Sequence, residues 1–223
     1  MLNIQKSLAI AALALGTATS AFASDITVST GYSTAGAQAS ANDYRDVVNA
    51  AVAIPSLGYG STSVALYDGI SNHSVFGGST GNIAFKSVID FGVSAPLAGS
   101  WDFRFGVDFG NGGAVFLDGS ALAFKSNDMW WAGSYSNNTQ AFLFNGLNLA
   151  AGNHKFVIYG LEGCCDGGQQ AQFRAPGANG FTTFGAQDGL NVAAVPEPET
   201  YAMLLAGLGL MGGIARRRSA VRA

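Results

Sequence analysis

Two cysteines stand side by side, Cys164-Cys165, within Gly163-Cys164-Cys165-Asp166-Gly167-Gly168, and the 223-residue chain has no others. In an oxidising compartment such thiols tend to become disulfides. Neighbouring Cα atoms lie about 3.8 Å apart, short of the roughly 4.4–6.8 Å that disulfides usually span, so a bond between them needs a distorted loop. Flanking glycines tolerate that distortion. Four outcomes stand open: a vicinal disulfide locking a loop, intermolecular bonding, free thiols, or a metal site recruiting His154 or Asp166. The last asks two adjacent side chains to point at one ion, with no second Cys/His cluster to complete a tetrahedral shell, so no metal is expected. His73 and His154 read more simply as a loop residue and a strand-start residue.

Carboxylates are the next candidates, because a glycosidase needs two of them across one bond. Asp102, Asp108, Asp118 and Glu162 come into question. Asp102 and Asp108, on one face of one strand, would be about 20 Å apart, beyond the roughly 5–9.5 Å such a pair requires. Asp118-Gly119 reads better as a hairpin turn. No Ser-His-Asp order, phosphate loop or zinc-hydrolase motif is present, so the expectation is a protein that is not an enzyme and uses no cofactor. Trp130, Trp131 and Tyr135 remain as a candidate ligand platform, since amphipathic rings stack on the apolar faces of sugars. On a strand, adjacent rings face opposite sides, so at least one could be exposed. The plainer alternative puts one ring in the core and one over an edge.

The elements that must position these residues read as strands. Glycine, serine, asparagine and aromatic residues dominate, and the runs between turn signals predict an all-β fold, an antiparallel β-sandwich of jelly-roll type with one short helix. The clearest strand is Ser100 to Phe109, where Trp101, Phe103, Phe105, Val107 and Phe109 alternate with polar or small residues. Burying five such side chains contributes on the order of 10 kcal/mol before entropy is counted. Further strands are predicted over 26–30, 62–67, 82–93, 113–117, 140–144, 154–159 and 170–174. Asn111-Gly112-Gly113, Asp118-Gly119, Asn145-Gly146, Gly152-Asn153 and Asp166-Gly167-Gly168 supply the turns between them. The helix is expected from Asn42 to Ile54, ahead of Pro55.

Both ends differ from this middle. Residues 1–23 have the parts of a secretory signal: Lys6, an apolar run from Leu8 to Leu15, and small residues closing on Ala21-Phe22-Ala23, which leaves Ser24 as the first mature residue. That implies the Sec machinery and signal peptidase as partners. At the far end, an apolar stretch over 201–215 is followed at once by Arg216, Arg217 and Arg218. It is shorter than the roughly 20 residues of a standard spanning helix, yet the cationic cluster orients it as a transient inner-membrane anchor. Ahead of it, Val195, Pro196, Glu197 and Pro198 form an extended stretch that a processing enzyme can grip. Residues 24–194 between these ends suffice for one domain. From Ser24 to Val195 six basic side chains face twelve acidic ones, a net −6, which argues against nucleic-acid binding.

The order Pro196-Glu197-Pro198, apolar segment, Arg216 to Arg218 resembles the PEP-CTERM sorting tail, here 195–223. That resemblance implies an exosortase as processing partner and delivery to the cell surface or an exopolysaccharide-rich biofilm matrix. Gly163 to Gly168 is similar to the doublet of the CCXG subgroup of these proteins. The path from Gly113-Ala114-Val115-Phe116-Leu117-Asp118-Gly119 through Trp130-Trp131 to Gly152-Asn153-His154-Lys155 resembles the β-sandwich module named after the anthrax protective antigen. Sugar-binding members of that family hold calcium with two adjacent aspartates, and Gly110-Asn111 occupy the matching positions here. The expectation is a non-enzymatic surface or matrix protein, with exopolysaccharide binding as the alternative and a glycan-active hydrolase as a third reading.

Overall fold

The computed structural model describes residues 23–191 and Gly207. The signal reading of 1–22, the motif at Val195–Pro198, the apolar stretch apart from Gly207, and the Arg216–Arg218 cluster lie outside the described residues. Among the described residues, no helix is long and apolar enough to cross a membrane.

In chain order the elements are β1 (Asp25–Tyr32), α1 (Ala41–Val52), β2 (Ser61–Ser63), β3 (Asp68–Ile70), α2 (Asn72–Phe76), β4 (Ile83–Val93), β5 (Gly99–Gly106), β6 (Asp108–Phe109), β7 (Gly113–Leu117), β8 (Ser120–Lys125), β9 (Met129–Trp130), β10 (Ala141–Leu149), β11 (Gly152–Glu162), β12 (Gln169–Arg174) and β13 (Thr182–Thr183). They build an antiparallel β-sandwich. One sheet runs β2-β1-β4-β11-β7-β8, the other β10-β5-β12-β13 with β3 also on β12, and β6 pairs with β9 alone.

Between the two large sheets lies an aromatic core. Trp101, Phe103, Phe105, Val107 and Phe109 are all buried, as the alternation requires. Phe156 of β11 meets Phe103 at 4.7 Å and Phe105 at 5.0 Å between ring centroids, which ties the sheets together through edge-on contacts. A second, smaller cluster covers the outer face of the first sheet, where α1 lays Tyr44 and Val48 against Phe116, Tyr159 and Leu161. Ser40 caps α1 by accepting from the Asp43 amide.

Three local expectations are corrected. The run from Ser100 to Phe109 is not one strand: it breaks at Val107, because β6 leaves its sheet to pair Asp108 with Trp130. Asn145-Gly146 does not separate strands but forms a bulge inside β10, fixed by the Gly146 amide donating to Asp102 Oδ1 at 2.8 Å. A second helix, α2, joins the expected one, and it carries His73, which had been read as a loop residue. Ser71 and Ser74 form its capping box, and Asp166 from a distant loop accepts from the Asn72 and His73 amides at 3.1 and 2.7 Å. Asp118-Gly119 does turn the β7–β8 hairpin, with φ of 50° and 81° at the two residues.

Candidate functional site

β6 carries the chain from the second sheet towards the first, and the corner it makes opens beside the end of β11. Pairing with β9 buries Met129 completely and, one residue on, turns Trp130 outward, 68% exposed. The Trp130 amide donates to Gln140 Oε1, which anchors the backbone beneath the ring. β11 ends on Glu162 and runs straight into Gly163-Cys164-Cys165. The Asn111 amide donates to the Leu161 carbonyl at 2.9 Å, and the Leu161 amide to the Gly112 carbonyl at 3.0 Å, so corner and strand end are held together.

A cleft of about 320 Å³ lies between them. Asp108 and Glu162 form its buried part, 7% and 3% exposed, with Asp128 beside them. Trp130 stands on one side and Cys164 and Cys165, whose sulfurs meet as a vicinal pair, on another. Cys165 sits in the left-handed backbone region at φ 75°, a conformation costly for a residue with a Cβ, so the surrounding loop must hold it there. Two ties do so: the Asn82 amide donates to the Gly163 carbonyl at 3.1 Å and the Asp166 amide to the Thr80 carbonyl at 2.9 Å.

The two buried carboxyls differ in their surroundings. Glu162 accepts from the Gly110 amide through Oε2 at 2.6 Å and from the Cys164 amide through Oε1 at 2.7 Å. Burial raises its pKa, and these two N–H groups work against the rise. Asp108 has less support. Burial first, and then the charge of Glu162, push it up to about 7, with the Gly167 amide opposing. Gly167 must be glycine for that contact, since a Cβ there would collide with Asp108 Oδ2. Burial thus favours the protonated form of both carboxyls, more strongly at Asp108, while two amides oppose it at Glu162. The cleft offers buried carboxyls and an aromatic face, and among the described residues no cationic side chain lines it.

Of the residues singled out from the sequence, the cleft gathers Asp108, Trp130, Glu162, Cys164 and Cys165 and leaves Asp102, Asp118, Trp131 and Tyr135 elsewhere. Trp131 lies flat over Gly106 on the outer face of the second sheet, where any Cβ would enter its ring. Tyr135 packs beside it at 5.3 Å and, with Phe181, sandwiches the Arg104 guanidinium at 4.1 and 3.9 Å. His154 bonds Asp118 at 2.7 Å and the Ala150 carbonyl at 2.9 Å, and Asp166 caps α2, so neither is aimed at the cysteines. Asp102 pairs with Arg174 on the outer sheet face. Gly110 and Asn111 place no carboxylate in the cleft, and among the described residues no three His, Cys, Asp or Glu side chains are grouped to hold a metal. A second depression of about 280 Å³ beside Leu66 and Thr183 contains one titratable group, Asp188, which is taken up by backbone amides.

The juxtaposition of Asp108, Asp128 and Glu162 escaped sequence reasoning. Gly110 and Glu162 alone stand 52 positions apart, and the strand break at Val107 that swings Asp108 into the cleft leaves no mark in the alternation.

Comparison with known proteins bears on two parts of the chain. Residues 194–219 match the PEP-CTERM protein-sorting motif. No curated protein sequence matches the chain. Among solved structures, the chain is similar to a PA14 sugar-binding domain from an RTX adhesin, at 13% identity and a TM-score of 0.49, covering 77% of this chain and 99% of that one. It is also similar to the PA14 domain of the MpAFP antifreeze protein, at 11% identity and 0.47, covering 77% and 93%. The A domain of a subtype-switched epithelial adhesin 9 from Candida glabrata, in complex with beta-lactose, matches at 11% identity and 0.48, covering 81% and 92%.

Proposed function

We propose that this protein is exported, anchored for a time in the inner membrane through 201–215, and released to the cell surface or extracellular matrix by an exosortase cutting near Pro196-Glu197-Pro198. The observation that carries this reading is the sorting-motif match at 194–219, which spans the Pro-Glu-Pro stretch, the apolar segment and Arg216 to Arg218 in the order of their use. On the same reading, residues 1–23 are removed by signal peptidase after Sec export, and Cys164 and Cys165 are oxidised to a vicinal disulfide once outside. Intact-mass measurement of the secreted protein tests all three. The expected species begins at Ser24, ends close to Pro198 and gains two daltons on reduction as a monomer. An exported species that retains Arg216–Arg218 would sink the sorting reading.

For the delivered domain, the cleft favours a second reading, the binding of a hydroxyl-rich ligand such as exopolysaccharide. Buried carboxyls, which accept when ionised and donate when protonated, suit a ligand rich in hydroxyls, and the exposed indole supplies a stacking face. PA14 neighbours described as sugar-binding are consistent with it without carrying it. In a polysaccharide pull-down with the secreted protein, Trp130→Ala is expected to weaken retention about tenfold, and Trp131→Ala to leave it unchanged because its ring is spent on Gly106. Equal retention of wild type and Trp130→Ala would remove Trp130 from the site. Asp108 and Glu162 line one cleft, so turnover of a glycan that vanishes in Glu162→Gln would replace binding with hydrolysis.

A further inference from the structure

Ser24 is the first residue of the fold and nearly the most enclosed polar one at that end, 6% exposed. Its backbone nitrogen donates to Asp188 Oδ1 at 3.4 Å. Asp188 organises the last turn of the domain: Oδ1 also accepts from the Leu190 amide at 2.9 Å and Oδ2 from the Gly185 amide at 3.0 Å. Leu190 is buried in the main core, and its carbonyl accepts from Gly92 of β4 at 3.4 Å. The point where the chain enters the domain and the turn after which it continues towards the sorting motif therefore share one carboxylate. Ser24 Oγ, beside that contact, is buried with no hydrogen-bond partner among the described residues. As an amide, Ser24 brings one donor to a place with acceptors to spare.

We propose that cleavage between Ala23 and Ser24 is a stabilising modification: it turns the Ser24 nitrogen into an α-ammonium that pairs with Asp188 and clamps the two ends of the domain. The inference rests on the signal-peptide reading. Hydrolysis adds one water across the peptide: the Ala23 carbonyl carbon takes the hydroxyl, the C–N bond breaks, and the Ser24 nitrogen leaves as an amine that binds a proton at neutral pH. One N–H···O contact of an amide becomes a charge-assisted one, with two further N–H groups available to the unpartnered hydroxyl and to water. Partial burial strengthens the pair relative to a surface one. Among the described residues, the titratable groups at this sheet end also include Asp25, its cross-strand neighbour Asp90, Lys155, which pairs with Asp90 at 3.2 Å, and His154, which bonds Asp118 at 2.7 Å. These are unchanged by the cleavage.

A free α-amino group titrates near roughly 7.7–8.0, and pairing raises it, so the added stability is fully present below that range and is lost as pH rises through the raised value. The experiment compares the secreted protein from the full chain with one in which a single glycine is inserted between Ala23 and Ser24, moving the ammonium one residue away. Mass spectrometry should place the wild-type amino terminus at Ser24. Its melting temperature at pH 6 should exceed that of the insertion variant by about 2–4 °C. The gap should close by pH 10 and be absent when both proteins carry Asp188→Asn. If Asp188→Asn does not accumulate, the pH dependence of the unsubstituted pair decides alone. A gap that survives at pH 10 or in the Asp188→Asn pair, no gap at pH 6, or a different amino terminus overturns the proposal. Sorting is read separately, from the carboxyl-terminal mass of the same protein, so either idea can fail while the other stands.

Discussion

Asp108 shows what the fold does to a single side chain. Its carboxyl is buried next to Glu162, and both burial and that neighbour favour the protonated form. The folded pKa of about 7 lies above the unfolded value, so the native state holds the extra proton between about pH 4 and 7. Stability contributed by this group is therefore greatest in mild acid and falls as pH rises through that window. Asp108→Asn keeps an oxygen for the Gly167 amide and removes the charge. It is expected to raise the melting temperature at pH 7.5 by about 2–4 °C, a gain softened by the openness of the cleft. At pH 4.5, near the low end of that window, the variant should gain far less. Calorimetric scans at the two pH values check this, and an equal gain at both would mean that charge burial is not the cause. The same residue marks a limit of reading by sequence. Its place in the alternation of Ser100 to Phe109 assigns it to a polar outer face, and only the departure of β6 to pair with β9 brings it beside Glu162.

At the scale of elements, β11 is the strand on which most else depends, paired with β4 on one side and β7 on the other. Gly160 sits near its end, where the Phe109 ring presses onto the backbone so closely that a Cβ would enter the ring. Phe109 is fully buried and has no room to withdraw. Gly160→Ala should therefore destabilise the domain by about 1–3 kcal/mol through overpacking, seen as a lower urea midpoint. Phe109→Leu in the same chain should recover part of that loss, because the ring, not the backbone conformation, is the obstacle; a purely additive double variant would refute the contact as its source. Periodicity made the existence of β11, β4, β5 and β12 legible, since alternating apolar residues can satisfy only one buried face. It did not make β3, β9 and β13 legible. They are two or three residues long, too short to show an alternation, and are fixed by pairing with other strands.

Across the whole molecule, the two kinds of information in this chain differ in what reads them. A sorting segment is legible as a linear order of residues, and Pro196-Glu197-Pro198, the apolar stretch and three arginines match its motif in that form. A binding cleft has no linear form. Trp130 enters it from a strand of two residues, Glu162 from the end of the central strand, and Cys164-Cys165 from the loop beyond, and what joins them is the sandwich itself. The doublet was conspicuous in sequence because vicinal cysteines restrict their own loop, yet its neighbours were not, because charge and exposure depend on contacts made far along the chain. The one place where the two kinds of information touch is Asp188. There the residue that signal cleavage would expose and the turn leading to the sorting motif are hydrogen-bonded to the same carboxylate, at the opposite end of the logic from the cleft. If, as proposed, the chain is cut at both ends during export, a carboxylate that holds both ends of the domain lets the first cut tighten it before the second is made.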